Sequence, residues 1–187
     1  LDSIRLFHEL GLNVLIFDYR GYGLSEGSPN EQGTYRDARA AWRWLVEDGG
    51  FEPSSIVLFG RSLGGAIAAW LAAHEQPGAL IVESAFSSVP EMGRRLYPWL
   101  PVGWLSRFDY PTAQHVAQAS CPVLVAHSRQ DDIIPFQQGE AIYAAASEPK
   151  VFLELQGGHN DGFLVSTGYV AGLQEFLRRY FGPDRVR

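Results

Sequence analysis

Sulfur is nearly absent: Cys121 and Met92 are the only cysteine and the only methionine in the 187-residue chain. A single thiol excludes an internal disulfide and any zinc knuckle built from several cysteines, and it leaves the redox compartment open. The chain begins at Leu1 rather than Met. It therefore reads as a processed or truncated product, with no signal-peptide pattern at its start. Positive charge is also sparse, with 15 Lys and Arg against 21 Asp and Glu and a formal net charge of -6. Scattered arginines on an acidic chain make no stripe for a phosphate backbone, so nucleic acid is not an expected partner. No apolar run reaches the roughly 20 residues that a membrane helix needs. Internal repeats, biased tracts and interdomain linkers are missing too. What remains, 46% hydrophobic and 13% aromatic residues, suits one globular domain spanning 1–187.

Hydrophobic periodicity alternates along the chain. Ile4, Leu6, Phe7 and Leu10 recur at helical spacing before Gly11. Asn13 to Tyr19 is a short apolar run that opens into Arg20-Gly21-Tyr22-Gly23, the pattern of a buried strand ending in a turn. Thr34 and Asp37 have the spacing of a capping box, and Tyr35, Ala38, Ala41, Trp42 and Leu45 share one helical face that ends at Gly49-Gly50. Strands are expected at Ser55 to Phe59, Ala79 to Val82, Pro122 to His127 and Lys150 to Leu155. Between and after them lie an Ala-rich helix ending near His74, a helix from about Gln137 to Ser147, and a last amphipathic helix using Phe163, Tyr169, Leu173, Phe176, Leu177 and Tyr180. Such alternation predicts an α/β domain: a mainly parallel sheet with helices on both faces. The stretch 86–120, with Pro90, Pro98, Pro101 and Pro111 among many aromatics, breaks the rhythm and reads as a cap-like insertion.

Gly60-Arg61-Ser62-Leu63-Gly64 fits G-x-S-x-G directly after an apolar strand and at the start of a helix. There a serine on a sharp turn projects its hydroxyl above the sheet edge. Flanking glycines are expected because a Cβ would collide with nearby backbone. The helix N-terminus supplies free N–H groups where an oxyanion would form, with Leu63 as the first donor. A serine needs a base and an orienting carboxylate, expected in the order Ser, acid, His. Asp131 and Asp132 follow one strand and His159 follows the last one, in a Gly-rich loop. Both loops fall on the sheet edge where Ser62 sits. His127 ends a strand and reads as a structural residue, whereas His8, His74 and His115 read as surface residues. Asp18 and Arg20 read as turn fixers and Cys121 as a core residue. No His, Asp and Glu set has metal-ligand spacing, so neither a metal nor any other cofactor is expected.

The segments DYRGYGLSEG (18–27), GRSLGG (60–65), HSRQDDIIP (127–135) and GGHND (157–161) resemble stations of the α/β-hydrolase superfamily across nearly all of the chain. The likeness is greatest to compact, small-capped serine hydrolases related to the abhydrolase-domain proteins and, more remotely, to the prolyl oligopeptidase clan. The resemblance implies Ser62 as nucleophile, His159 as base and Asp131 as acid, the last because the D-x-x-x-P pattern fits Asp131 and Pro135. Asp132 and Glu83 remain rivals for the acid.

The resemblance also exposes a gap. Relatives carry earlier strands and a His-Gly-rich loop that donates a second oxyanion N–H, and this chain has neither. The strand that would lie between 13–19 and 55–59 is missing, so unpaired backbone is expected in mid-sheet. A fragment of a longer protein is the favoured explanation over a chain paired with its own N-terminal piece or a shortened variant that repacks. Self-association through the incomplete sheet is a related expectation.

Tyr97, Trp99, Trp104 and Phe108 would overhang Ser62 and shape an apolar acyl pocket. The expected activity is a metal-independent serine hydrolase acting on a carboxylic ester or thioester. A non-catalytic binding or scaffold domain, a serine peptidase, and a lipid or protein deacylase stay open beside it. Cytoplasmic placement is expected, with anchoring by an upstream segment left open.

Overall fold

The computed structural model describes residues 2–96 and 107–181, without the side chains of residues 95 and 96. Four parallel strands form one sheet in the order β1 (Val57–Arg61), β2 (Ala79–Glu83), β3 (Val123–Ser128), β4 (Lys150–Leu155). β2 and β3 are buried throughout, while β1 and β4 are mostly half-buried, as flanking strands should be.

Because side chains alternate along a strand, each inner strand feeds two cores. Leu80, Val82, Val123 and Val125 pack with Ala68, Ala69 and Ala72 of α3 (Leu63–His74), Val116 of the helix Thr112–Gln118, and Ile142 of the helix Phe136–Ala145. Ala79, Ile81, Leu124 and Ala126 pack instead with Phe7 of α1 (Asp2–Glu9), neighbouring Leu10, and Tyr169, Leu173, Phe176 and Leu177 of the C-terminal helix Tyr169–Phe181. A third cluster joins Tyr35, Ala38 and Trp42 of α2 (Glu31–Arg43) to Ile67 and Leu71 of α3. Helices therefore cover both faces of a parallel sheet, as the alternation predicts.

Four sequence expectations change. Residues 12–19 carry no strand assignment, and Val14, Leu15, Ile16 and Phe17 are exposed. β-pairing needs a neighbour, and among the described residues β1 has no partner on its outer side. The cap of α2 is Asn30, whose side chain accepts from Gly33 N at 2.8 Å. Thr34 lies inside the helix, buried against Tyr110, and Asp37 binds Arg20. Phe163 belongs to a separate short helix, Gly162–Val165, ahead of the C-terminal one. Finally, the stretch 86–120 is not uniform. After α4 (Val89–Leu96), its end forms the helix Thr112–Gln118, which packs on α3 and Phe136–Ala145 as an ordinary crossover between β2 and β3.

Candidate active site

The β1–α3 junction determines the geometry at Ser62. Ser62 has φ 54° and ψ -122°, a left-handed conformation that costs a non-glycine residue about 1–3 kcal/mol. Its N–H donates to Glu83 O at 2.9 Å, which ties the turn to the end of β2, and its carbonyl accepts from Gly65 N at 3.0 Å. The hydroxyl makes no capping bond to α3, so it is not spent on the helix terminus. Leu63 opens α3, in the first turn where backbone N–H groups lack intrahelical acceptors.

Close packing explains Gly60 and Gly65, but not Gly64. A Cβ on Gly60 would sit 2.1 Å from Gly64 O, and one on Gly65 would sit 2.7 Å from Ala85 Cβ. A Cβ on Gly64 meets nothing within 4 Å. The expected collision thus applies only to the glycine before the serine and to the second one after it.

Asp131 and His159 come together across two loops. The Asp131 carboxylate is fully buried, with Oδ1 accepting from Ile133 N at 2.9 Å and Ile134 N at 2.7 Å. Its Oδ2 lies 2.8 Å from His159 Nδ1. With an acceptor-only carboxylate at Nδ1, the neutral imidazole carries its proton there and leaves Nε2 as the basic nitrogen.

The rival acids sit elsewhere. Asp132 Oδ1 accepts from the His159 backbone N at 3.0 Å, a bond that pulls its carboxyl below the usual range. Asp132 therefore holds the loop rather than the ring. Glu83 is buried against the Arg61 guanidinium and the Tyr169 hydroxyl. The resemblance left Glu83 as a rival acid at a strand end, but its carboxylate is engaged by Arg61 and Tyr169.

His127 is fully buried beside Asp131. Its Nε2 donates to Ile134 O at 2.9 Å and lies 3.5 Å from Asp131 Oδ2, while Nδ1 has no hydrogen-bond partner among the described residues. Burial pulls its pKa below the ordinary value. His115, expected at the surface, is half-buried, with no partner for its Nδ1 among the described residues and a pKa lowered by burial. Arg20 grips Asp37 through Nε and Nη2, fixing the turn after residue 19 onto α2. Cys121 is buried, and its thiol is pushed up to about 11 by that burial.

Of the expected pocket residues, Tyr97, Trp99 and Trp104 lie outside the described residues. Phe108 is exposed and stacks on Tyr110, with ring centroids 6.1 Å apart. Sequence reasoning missed the anchor at this point. The Glu31 carboxylate accepts from Asp109 N at 2.7 Å and Tyr110 N at 3.0 Å. It also missed Ser128 and Gln130, which accept from or donate to the loop groups Gln130 N, Gly157 O and Gly157 N. Contacts across such sequence separations leave no local pattern. Among the described residues no His, Cys, Asp and Glu cluster could hold a metal ion, and no helix is long and apolar enough to cross a membrane.

The sequence matches the Prolyl oligopeptidase family over residues 3–167. An uncharacterized protein of Mycobacterium tuberculosis is 47% identical over 180 residues, covering 96% of this chain and 63% of that protein. The chain thus spans under two thirds of that relative's length. Lysophosphatidylserine lipase ABHD12 of Danio rerio is 34% identical, covering 92% of this chain and 48% of its own. An alpha-beta serine hydrolase homologue from Coxiella burnetii superposes with a TM-score of 0.66 at 27% identity, covering 95% of this chain and 73% of that one. A parallel sheet covered on both faces, a serine at a strand-to-helix elbow and a family match over most of the length lead to one conclusion: the chain belongs to the prolyl oligopeptidase family of the α/β-hydrolase superfamily.

Proposed function

We propose that this chain is a serine hydrolase that cleaves a carboxylic ester or thioester through an acyl-enzyme on Ser62. The observation that carries this reading is the buried Asp131–His159 pair, with Nδ1 and Oδ2 2.8 Å apart, in a fold whose strand-to-helix elbow presents a strained serine. In the reaction, Ser62 Oγ attacks the substrate carbonyl as its proton passes to His159 Nε2. Asp131 holds the ring orientation and stabilises the imidazolium, and Leu63 N–H donates to the developing oxyanion. Collapse expels the alcohol or thiol, which takes the proton from His159. Water then attacks the acyl carbonyl as its proton passes to the same nitrogen, and collapse breaks the acyl–Oγ bond, releasing the acid while that proton returns to Ser62 Oγ.

An ester-type substrate is favoured by the lipase named among the relatives and by the apolar character of 86–110.

A second reading, a binding domain that keeps the three residues without turnover, has one observation in its favour: among the described residues, none hydrogen-bonds Ser62 Oγ. Catalytic contacts often tighten only with substrate bound. Fluorophosphonate labelling separates the readings. Hydrolysis predicts labelling at Ser62 that Ser62→Ala abolishes and His159→Ala slows by orders of magnitude. A folded chain that neither labels nor hydrolyses short acyl esters would favour binding. Labelling that survives Ser62→Ala would remove Ser62 from the role.

A further inference from the structure

Arg61, the residue before the serine, reaches three other elements at once. Its guanidinium pairs with Glu83 at the end of β2, and its Nη2 donates to Ser3 Oγ of α1 at 3.3 Å. Its Cζ lies over the Phe163 ring, 3.8 Å from the ring centroid. Glu83, 1% exposed, also accepts from Tyr169 Oη at the start of the C-terminal helix. Burial and the nearby carboxylate push the Tyr169 phenol far above its ordinary pKa, so it stays a donor at every working pH.

Phe163 gives this network a direction. It sits four residues after His159, in the short helix Gly162–Val165 that ends the loop carrying the imidazole. That loop is held from the other side by Asp132 on His159 N and by Gln130 on Gly157 N. Arg61 thus links the backbone that carries Ser62 to the segment that carries His159, through its cation–π contact with Phe163, while its ion pair with Glu83 holds it in place. A buried carboxylate is costly to desolvate and is retained only with partners that satisfy it.

On the reading that Ser62 and His159 act together, we infer that Arg61 is a positioning residue that sets the spacing between them by seating Phe163. Neither Arg61 nor Phe163 touches the reacting atoms; each acts through the loop that bears His159. Lysine cannot replace arginine here, because an ammonium offers no planar face to the ring.

Two variants test this without stripping Glu83 of its charge partner. Phe163→Leu keeps an apolar side chain and leaves the Arg61–Glu83–Tyr169 contacts in place. Arg61→Lys keeps the charge. Each should lower the acylation rate and kcat roughly three- to thirtyfold with KM unchanged, the range expected from losing one partly buried stacking contact. Phe163→Tyr should restore wild-type kcat, because it returns the ring. The double variant Arg61→Lys with Phe163→Leu should lose no more than the worse single one, since both break the same contact.

Wild-type kcat in folded Phe163→Leu and Arg61→Lys would overturn the inference. So would independent, multiplying losses in the double variant, or losses confined to KM. Failure of the underlying reading looks different, because the wild-type chain itself would then show no Ser62-dependent labelling.

Discussion

Asp131 Oδ2 lies 2.8 Å from His159 Nδ1 although the two residues are 28 positions apart and sit on loops after different strands. Two backbone donors fix the other oxygen of Asp131, so the carboxylate cannot turn away from the ring without breaking them. Adjacent Asp132 has the same side chain but spends it on a backbone N–H. The two aspartates should therefore respond very differently to the same substitution.

Asp131→Asn should lower kcat about 10³- to 10⁴-fold, because an amide NH₂ facing Nδ1 would drive the proton to the wrong ring nitrogen. Asp132→Asn retains an oxygen acceptor for His159 N and should cost no more than a few-fold. Steady-state hydrolysis of a chromogenic acyl ester by both variants checks this. Equal losses would show that the ring does not depend on Asp131 in particular.

Much of this arrangement was legible in the sequence. Apolar runs of four to six residues mark β1 to β4 to within two residues, because burial on both faces leaves an unbroken apolar signal. The elbow was legible for the same reason. Residues 13–19 carried the same apolar signal and form no strand, since hydrophobicity reports a tendency to be buried and says nothing of whether a pairing partner is at hand. Thr34 misled as a cap because it resembles one chemically, while Asn30 offered a better oxygen one turn earlier. The roles of Glu31, Arg61 and Glu83 depend on long-range contacts, such as those between Glu31 and residues 109 and 110, which no spacing rule can display.

The elbow glycines should separate cleanly. Gly60→Ala drives a Cβ into the Gly64 carbonyl and should cost about 3 kcal/mol or more, lowering the melting temperature by roughly 10 °C for a chain of this size. Gly64→Ala meets open space in the first turn of α3 and should be neutral or stabilising by up to about 1 kcal/mol. Thermal unfolding of both variants measures the contrast. A destabilised Gly64→Ala chain would show that this position is constrained by something other than space.

Stability should fall as pH drops below neutrality. Burial lowers the pKa of both His127 and His115 from the usual 6.5, so each is harder to protonate in the folded chain than in the unfolded one. Above 6.5 both states are neutral at these sites and the full stability is present. As pH falls through 6.5 toward the lower folded values, unfolding takes up protons and ΔG decreases. At His127 desolvation drives the effect and His159 adds to it, whereas the bond to Ile134 O and the nearby Asp131 and Glu83 moderate it. The lowered carboxyl of Asp37 acts below its usual 3.8, outside this window. Urea unfolding at pH 8, 7, 6 and 5 should show the decline, and His127→Gln, which can still donate to Ile134 O, should flatten it. A profile that stays level to pH 5 in the wild-type chain would refute the assignment.

The open side of the sheet sets how this chain should behave in solution. Val14 (40%), Leu15 (44%), Ile16 (71%) and Phe17 (38%) expose four consecutive large apolar side chains, and β1 has no outer partner among the described residues. An exposed apolar segment and an unpaired strand edge are each a template for association. The chain should therefore associate in a concentration-dependent way, which light scattering coupled to size exclusion would reveal over about 1 to 100 μM. Ile16→Lys should suppress that association, since burying an unpaired ammonium in a new interface is costly. Its melting temperature in dilute solution should barely move, because substitutions at exposed positions usually change stability by no more than about 0.5 kcal/mol. Ser62-dependent labelling, if present, should also persist, as residue 16 lies outside the Asp131–His159 pair. A wild-type chain that remains monomeric over the whole range would contradict this expectation, and an Ile16→Lys chain that associates as strongly would move the contact to another surface.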